Sequence, residues 1–440
     1  MLTILICKLL RFLGGLLGRG SSLPGAVALK LDKNILSKLT LPEKSLAISG
    51  SNGKTSVTEL VRAAAEAAGL RAVCNSYGSN QIEGVATALL AASDLRGRVR
   101  ADALILESDE RFCQYTFKHF APKYILITNL YRDQLTRNGH SGFVLVELRK
   151  GLRQESTLIL NADDPVSASL GEGRDAIYYG IETKELDERP DLTHAYDDGA
   201  RCPLCKAPLH YSRRIVSHLG EYECAACGYK RKPLEHAVSG FDGESFILDG
   251  EYRVRPQIAN SMFAYNIAAA FSAATEALDI APETAAAALD GHALANGRVR
   301  SFSINGHQGL FLLSKHENSM AYNGALETIK KSEAEEITVV LIADLLSRKY
   351  VANDMSWLWD IDFELLADER VKRVFCGGLF AWDIALRLEF AGVPGERLTV
   401  RQNLDELMDE LYSGAAGQVY ALTCFTDQNK FLGRLKEGAR

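Results

Sequence analysis

The sequence carries no excess of positive charge. Its 440 residues hold 50 Lys and Arg against 56 Asp and Glu, a formal net charge of −6. That balance excludes a general polyanion-binding surface and leaves nucleic acid only a local patch. No disulfide framework is present either. Cys7, Cys74, Cys113, Cys376 and Cys424 stand singly, and the other four of nine cysteines form two Cys-x-x-Cys pairs. Such usage predicts a reducing, cytoplasmic protein. No apolar run is long and clean enough to span a bilayer. The best candidate, Leu2 to Leu17, is broken by Lys8 and Arg11, and no clear small-x-small cleavage site follows it, which argues against a secretory leader.

Within that run Leu2, Ile6, Leu9, Leu10, Leu13, Leu16 and Leu17 recur at helical spacing, with Lys8, Arg11 and Arg19 on the polar side. The spacing predicts an amphipathic helix. Two destinations stay open for it: packing on its own domain, and contact with a membrane surface at the inner face. Hydrophobic residues make up 47% of the chain, enough for two or three domains.

The most informative stretch is Ile48-Ser49-Gly50-Ser51-Asn52-Gly53-Lys54-Thr55. An apolar run, Ser45 to Ile48, enters a Gly-rich turn, and a helical pattern, Val57 to Ala68, leaves it. This is the strand–loop–helix context of a phosphate-cradling loop. Glycines let backbone N–H groups approach phosphate, and the helix N-terminus adds partial positive charge. Gly50, Asn52, Gly53, Lys54 and Thr55 are the candidate ATP-binding residues. Lys54 is expected to reach the β- and γ-phosphates and Thr55 to place its hydroxyl on Mg²⁺. The local form is Gly-x-x-Gly-Lys-Thr; Ile48 stands where the general pattern has Gly.

Strand and helix then alternate. Apolar runs at 103–106, 124–127 and 157–160 read as buried parallel strands, with helical patterns at 83–92 and 143–152 between them. That order predicts a doubly wound α/β sheet with ligands at the carboxyl ends of the strands. Glu107-Ser108-Asp109-Glu110 and Thr128 to Gln134 fall at such ends, and a carboxylate there suits Mg²⁺.

Cys202-Pro-Leu-Cys205 and Cys224-Ala-Ala-Cys227 stand eighteen residues apart. Two such knuckles bring four thiolates to one tetrahedral Zn²⁺, a closed structural site worth on the order of 10 kcal/mol to a small module. The basic residues Arg213, Arg214, Lys230, Arg231 and Lys232 surround it, serving a phosphate-bearing ligand or solubility. A second α/β pattern begins near residue 305, with strands at 311–314, 338–342, 371–375 and 419–423 and helices at 323–333, 382–391 and 404–411. The expected organisation is an N-terminal segment (1–40), a central domain (41–300, ribbon at about 200–232) and a C-terminal domain (301–440).

Gly50 to Thr55, Glu107, Thr128-Asn129-Leu130, Leu160 to Pro165, Tyr265-Asn266 and Gly297-Arg298 resemble the Mur ligase family, which activates a carboxylate with ATP and then forms an amide. Within it the chain is similar to the MurT branch, the synthetase subunits of lipid II isoglutaminyl synthases. The opening 20–29, the four-Cys insertion, Gln134 in place of a His, and the stretch 353–364 carry that likeness. The resemblance implies a Mur ligase-type P-loop ATPase domain with an inserted zinc ribbon, plus a C-terminal Rossmann-like α/β domain. It implies a carbon–nitrogen ligase that amidates the α-carboxyl of D-glutamate in the lipid II stem, giving D-isoglutamine. It implies ATP and Mg²⁺ held by Lys54, Thr55 and Glu107, with nucleotide contacts from Asn266 and Arg298.

Two absences agree. Only about 45 residues precede the loop, too few for a domain that holds a nucleotide-sugar. No glutaminase elbow is present: Val374-Phe375-Cys376-Gly377-Gly378 lacks Gly two residues before the Cys, so Cys376 reads as a buried strand residue. The resemblance therefore implies a partner class I glutaminase of the GatD type, whose Cys–His pair Asp354 completes. Trp357 and Trp359 suit either that interface or a core. Two loops depart from the branch. Lys315-His316-Glu317-Asn318-Ser319 replaces Lys-Asn-Pro-x-Gly, and Ala352-Asn353-Asp354 replaces Gly-Arg-Asp. His316 reads as a lone histidine of the site or loop. The alternative function is a stand-alone amino-acid ligase of the Mur or folylpolyglutamate type.

Overall fold

Leu46, Ala47 and Ile48 are fully buried in the middle of β1 (Lys44–Ser49). A strand covered on both faces by helices has no polar side, which is why the run reads as continuously apolar. β1 is central to the first of two units in the computed structural model, which describes residues 1–16, 20–75, 79–134, 138–139, 141–187, 197–294, 299–345, 354–424 and 426–435.

The first unit comprises residues 1–131, 140–192 and 197–294. Its helices are α1 (Leu2–Leu16), α2 (Leu23–Leu31), α3 (Lys54–Ala67), α4 (Ile82–Ala92), α5 (Ser141–Gly151), α6 (Ser261–Ser272) and α7 (Pro282–Leu289). Its sheet joins β2 (Ala72–Cys74), β3 (Ala103–Glu107), β1, β4 (Tyr124–Ile127), β5 (Thr157–Asn161), β6 (Ala176–Ile181) and β9 (His236–Phe241) in parallel, and ends in antiparallel β10 (Phe246–Leu248) and β11 (Tyr252–Val254). β1 lies between β3 and β4, so the chain crosses it on the way from one to the other. Such a reversal of strand order opens a crevice at the carboxyl ends.

α1 and α2 pack on α4. Gly25 comes so close to α4 that an added Cβ would stand 1.9 Å from Glu83 O, and its N–H donates to Thr87 Oγ1 at 2.8 Å. A hairpin, β7 (His210–Val216) and β8 (Leu219–Glu223), stands between the two cysteine knuckles. Asn260 caps α6 by accepting from Phe263 N at 2.8 Å, and the helix widens into a π turn over 273–277.

The second unit comprises 132–139, 193–196 and 295–440. Its sheet runs β12 (Val299–Ile304), β13 (His307–Ser314), β17 (Gln418–Cys424), β14 (Ile337–Ile342), β15 (Val371–Gly377) and β16 (Leu398–Arg401), with only β12 antiparallel. Helices α8 (Ser319–Lys330), α9 (Ala381–Phe390) and α10 (Leu404–Gly414) cover it. Cys376 is buried in β15. α8 starts four residues earlier than the spacing suggested, because Asn318 Oδ1 accepts from Ala321 N at 2.8 Å and fixes the helix start there.

Candidate active site

Three loops meet where β3, β1 and β4 end. Gly50 and Gly53 have φ of +126° and +85°, the left-handed region that glycine enters without a Cβ penalty. A Cβ on Gly50 would lie 2.2 Å from Thr128 Oγ1, and one on Gly53 would lie 2.3 Å from Asn266 Oδ1. The loop is pinned from the β4 side. Ser51 N donates to Asn129 O at 2.8 Å, Asn52 N to Asn129 Oδ1 at 2.9 Å, and Thr128 Oγ1 to Asn52 O at 2.6 Å.

Lys54 and Thr55 open α3. Lys54 is buried; its Nζ donates to the carbonyls of Gly50 and Ser51 and pairs with Glu110 Oε2 at 3.0 Å. Thr55 Oγ1 donates to Glu107 Oε2 at 2.9 Å. Behind it Asn80 Nδ2 donates to Glu107 Oε1 at 3.2 Å, and Asn75 exchanges two hydrogen bonds of 2.9 Å with the Glu107 backbone. A hydroxyl and an anchored carboxylate beside a buried ammonium match what a Mg²⁺–triphosphate needs: hard oxygen ligands and fixed positive charge. The structure thus brings together Gly50, Asn52, Gly53, Lys54, Thr55, Glu107 and Asn266. Arg298 lies outside the described residues.

Sequence reasoning missed Glu110 as the partner of Lys54, and Asn75 and Asn80 behind Glu107. A buried Lys beside a Glu is legible only once two strand ends are known to be neighbours.

The four cysteines of the insertion converge. Cys202 and Cys227 Sγ lie 3.6 Å apart, Cys205 and Cys224 Sγ 3.5 Å, and no pair is a disulfide. Tetrahedral zinc with Zn–S of about 2.3 Å places its sulfurs roughly 3.8 Å apart, so this donor set fits the ion. The surrounding cations are not a free patch. Arg231 pairs with buried Asp163 and donates to Ile181 O, Arg213 pairs with Asp187 and Glu221, Arg214 with Asp197, and Lys232 with Glu172. Tyr229 OH donates to Pro165 O at 2.7 Å, and Gly220 N to Asp163 O at 2.8 Å. The Asp163-Asp164-Pro165 turn therefore clamps the insertion to the sheet, which is a third reading beside the two that composition allowed. His218, unnoticed in the sequence, is buried with Nε2 3.6 Å from Asp164 Oδ1. Burial opposes its charge, but the Asp164 carboxylate, with Asp198 and Asp197, outweighs that and raises its pKa.

Residues 48–219 match the Mur ligase middle domain family, and residues 315–427 match the MurT ligase C-terminal family. The chain thus resembles the Mur ligase family in both its middle and its C-terminal part. It is 29% identical over 425 residues to the Streptococcus pneumoniae (strain ATCC BAA-255 / R6) protein named lipid II isoglutaminyl synthase (glutamine-hydrolyzing) subunit MurT, covering 94% of this chain and 92% of that one. A Staphylococcus aureus (strain COL) protein of the same name is 28% identical, over 85% and 84% of the two chains. Among solved structures, a pseudomurein peptide ligase type C from Methanothermus fervidus shares the fold with a TM-score of 0.67, 21% identity, and coverage of 91% of this chain and 79% of that one. MurF ligase from Thermotoga maritima in complex with ADP does so at 0.60, with 13% identity and coverage of 91% and 80%. A Mur ligase-type α/β fold is what the two sheets form.

In the second unit Asp354 is exposed and its Oδ1 accepts from Ser356 N at 2.9 Å. That bond holds its carboxyl below the usual range, so it is ionised at neutral pH. Trp357 is buried in the core, whereas Trp359 is 47% exposed and meets Phe390 edge-on at 5.3 Å. The two tryptophans that the sequence left undivided thus go to different places. The segment after β4 belongs partly here: Asp133 accepts from Asn318 at 2.7 Å and pairs with Lys315 at 3.3 Å, and Arg132 pairs with Asp360 at 2.6 Å. His316 is not alone, contrary to its sequence reading. Asp427 lies 3.3 Å from its Nε2 and Tyr322 OH 3.2 Å from its Nδ1. Residues 346–353, including Asn353, lie outside the described residues.

Proposed function

We propose that the chain is the synthetase subunit of an ATP-dependent amidotransferase that converts the α-carboxylate of D-glutamate in the lipid II stem to the carboxamide. The observation that carries the reading is the convergence of Thr55 Oγ1 and Glu107 Oε2 beside Lys54 in a chain aligned over 94% with a MurT subunit. A carboxylate oxygen attacks the γ-phosphorus of ATP, and ADP leaves. Ammonia attacks the acyl phosphate carbon, inorganic phosphate leaves, and the amide nitrogen sheds a proton. Lys54 neutralises phosphate charge; Thr55 and Glu107 hold Mg²⁺; Asn52, Asn266 and Arg298 contact the nucleotide.

Ammonia comes from a class I glutaminase of the GatD type. Asp354 supplies that partner's Cys–His pair with its carboxylate, orienting the imidazole. An apolar face suits such docking: Trp382, Leu386 and Phe390 stand one turn apart along α9, all more than half exposed, with Trp359 against Phe390.

The substrate is lipid-linked, and α1 is built for that surface. Ile4 and Cys7 are buried and Lys8 Nζ donates to Ala91 O at 2.7 Å, so the helix is fixed to its unit. Leu2, Leu5, Leu9, Phe12, Leu13 and Leu16 are all exposed, on a stripe spanning about 100° of the helix circumference. Residues 1–31 hold Lys8, Arg11, Arg19 and Lys30 and no Asp or Glu. Apolar area with cationic surroundings fits an anionic bilayer face. The buried side takes the packing destination read from the sequence, and the exposed stripe is what supports the membrane one. Among the described residues no helix is long and apolar enough to cross a membrane. The four cysteines hold a structural Zn²⁺.

Incubation with ATP, Mg²⁺, lipid II and a mixture of ammonium and free amino acids, followed by mass spectrometry of the stem peptide, tests the chemistry. Conversion of one carboxyl to carboxamide supports it. Addition of a free amino acid instead establishes the stand-alone ligase.

A further inference from the structure

The second unit holds another group of metal-ligating side chains, none of them used by the proposed reaction. Ser314 at the end of β13 and Cys424 at the end of β17 are register partners on adjacent parallel strands. The turns that follow therefore emerge side by side, one carrying His316 and the other Asp427. All three side chains are buried, and an imidazole nitrogen, the thiol sulfur and a carboxylate oxygen lie within 4.8 Å of one another.

We propose that His316, Cys424 and Asp427 form a second zinc site, with the fourth position left to water or a substrate oxygen. The donors are the N, S and O types that zinc takes, and three protein ligands with an open position is the pattern of reactive rather than closed sites. With Zn–N and Zn–O of about 2.0–2.1 Å, tetrahedral geometry sets N and O roughly 3.3 Å apart; His316 Nε2 and Asp427 Oδ2 are 3.3 Å apart. A thiolate and a carboxylate balance the dication, which makes burial tolerable.

The ligands are also oriented from behind. Tyr322 OH engages His316 Nδ1 and leaves Nε2 for the ion. Asp427 Oδ2 accepts from the N–H groups of Asp344 and Leu345 at 2.8 and 3.1 Å. Its Oδ1 is buried and pairs with Lys430 Nζ at 2.9 Å. That cation opposes zinc, but it has a second carboxylate, Asp344, to turn to. The cluster sits at the carboxyl ends of central parallel strands, where α/β sheets place ligands.

Zinc content of the purified full chain, dialysed against metal-free buffer and read by plasma mass spectrometry, tests this without any substrate. Two zinc ions per chain are expected. Cys424→Ala and Asp427→Asn each lower the content to one, while Cys224→Ser with Cys227→Ser also leaves one. Cobalt replacement gives an independent readout in the same folded samples: Cys424→Ala weakens the thiolate–cobalt band and leaves the rest of the spectrum in place. One zinc per chain in the wild type, with content and cobalt spectrum unchanged in Cys424→Ala and Asp427→Asn, overturns the proposal.

Discussion

Thr55 Oγ1 donates to Glu107 Oε2 at 2.9 Å, so the second residue of α3 and the last residue of β3 present two oxygens at one point. In the proposed reaction this point is where the metal of the nucleotide sits. Glu107→Gln removes the only charge of the pair, while Asn75 still holds the backbone there and Asn80 can still donate to the amide oxygen. ATP-dependent turnover is expected to fall on the order of 100-fold, about 2.7 kcal/mol, with melting temperature unchanged. Steady-state kinetics over a Mg²⁺ titration checks it.

Gly53→Ala tests the loop itself. The added Cβ meets Asn266 Oδ1 at 2.3 Å, and the φ of +85° disfavours any side chain. Nucleotide affinity, measured calorimetrically, is expected to drop at least about tenfold, with a stability loss of roughly 1–2 kcal/mol.

Zinc removal acts on the insertion. A chelator, or Cys224→Ser, is expected to release Zn²⁺ and expose residues 200–232 to protease. The clamp through Asp163 and Pro165 ties the insertion to β5 and β6, so the first unit should also melt at a lower temperature. Limited proteolysis with and without chelator reads this.

His236 gives a pH test. It lies between Asp249 at 2.8 Å and Glu276 at 3.0 Å. Burial opposes its charge, but the two carboxylates outweigh burial and raise its pKa. A raised folded value means stabilisation that is complete below the unfolded value of about 6.5 and is lost as pH rises through the folded one. Thermal stability of wild type minus His236→Gln should therefore shrink on going from pH 6 to higher pH; a constant difference contradicts the assignment.

The exposed stripe of α1 predicts binding to anionic vesicles. Leu9→Glu with Phe12→Glu should abolish co-sedimentation with phosphatidylglycerol vesicles and leave ammonium-dependent activity on a soluble stem peptide intact.

The sequence made the strand–loop–helix around Lys54 legible because one continuous apolar run, two glycines and a helical period follow one another within residues 45–68. It hid β2, β6, β9 to β11 and β16, which are short or carry polar residues that break the pattern, and α2, whose Gly25 reads as a breaker yet is demanded by α4. It also hid pairings that only sheet order creates: Lys54 with Glu110, Arg231 with Asp163, and His316 with Asp427 are 56, 68 and 111 residues apart. Trp357 and Trp359 show the limit from the other side, since two residues of one short turn took opposite environments.

The most direct test compares ammonia sources. The chain is co-expressed with a class I glutaminase of the GatD type, and lipid II amidation is measured with glutamine and, separately, with ammonium for wild type and Asp354→Asn. Asp354→Asn is expected to lose glutamine-dependent amidation and glutamine hydrolysis but to keep ammonium-dependent amidation. Equal loss with both sources, or full glutamine-dependent activity in Asp354→Asn, contradicts the proposed role of Asp354.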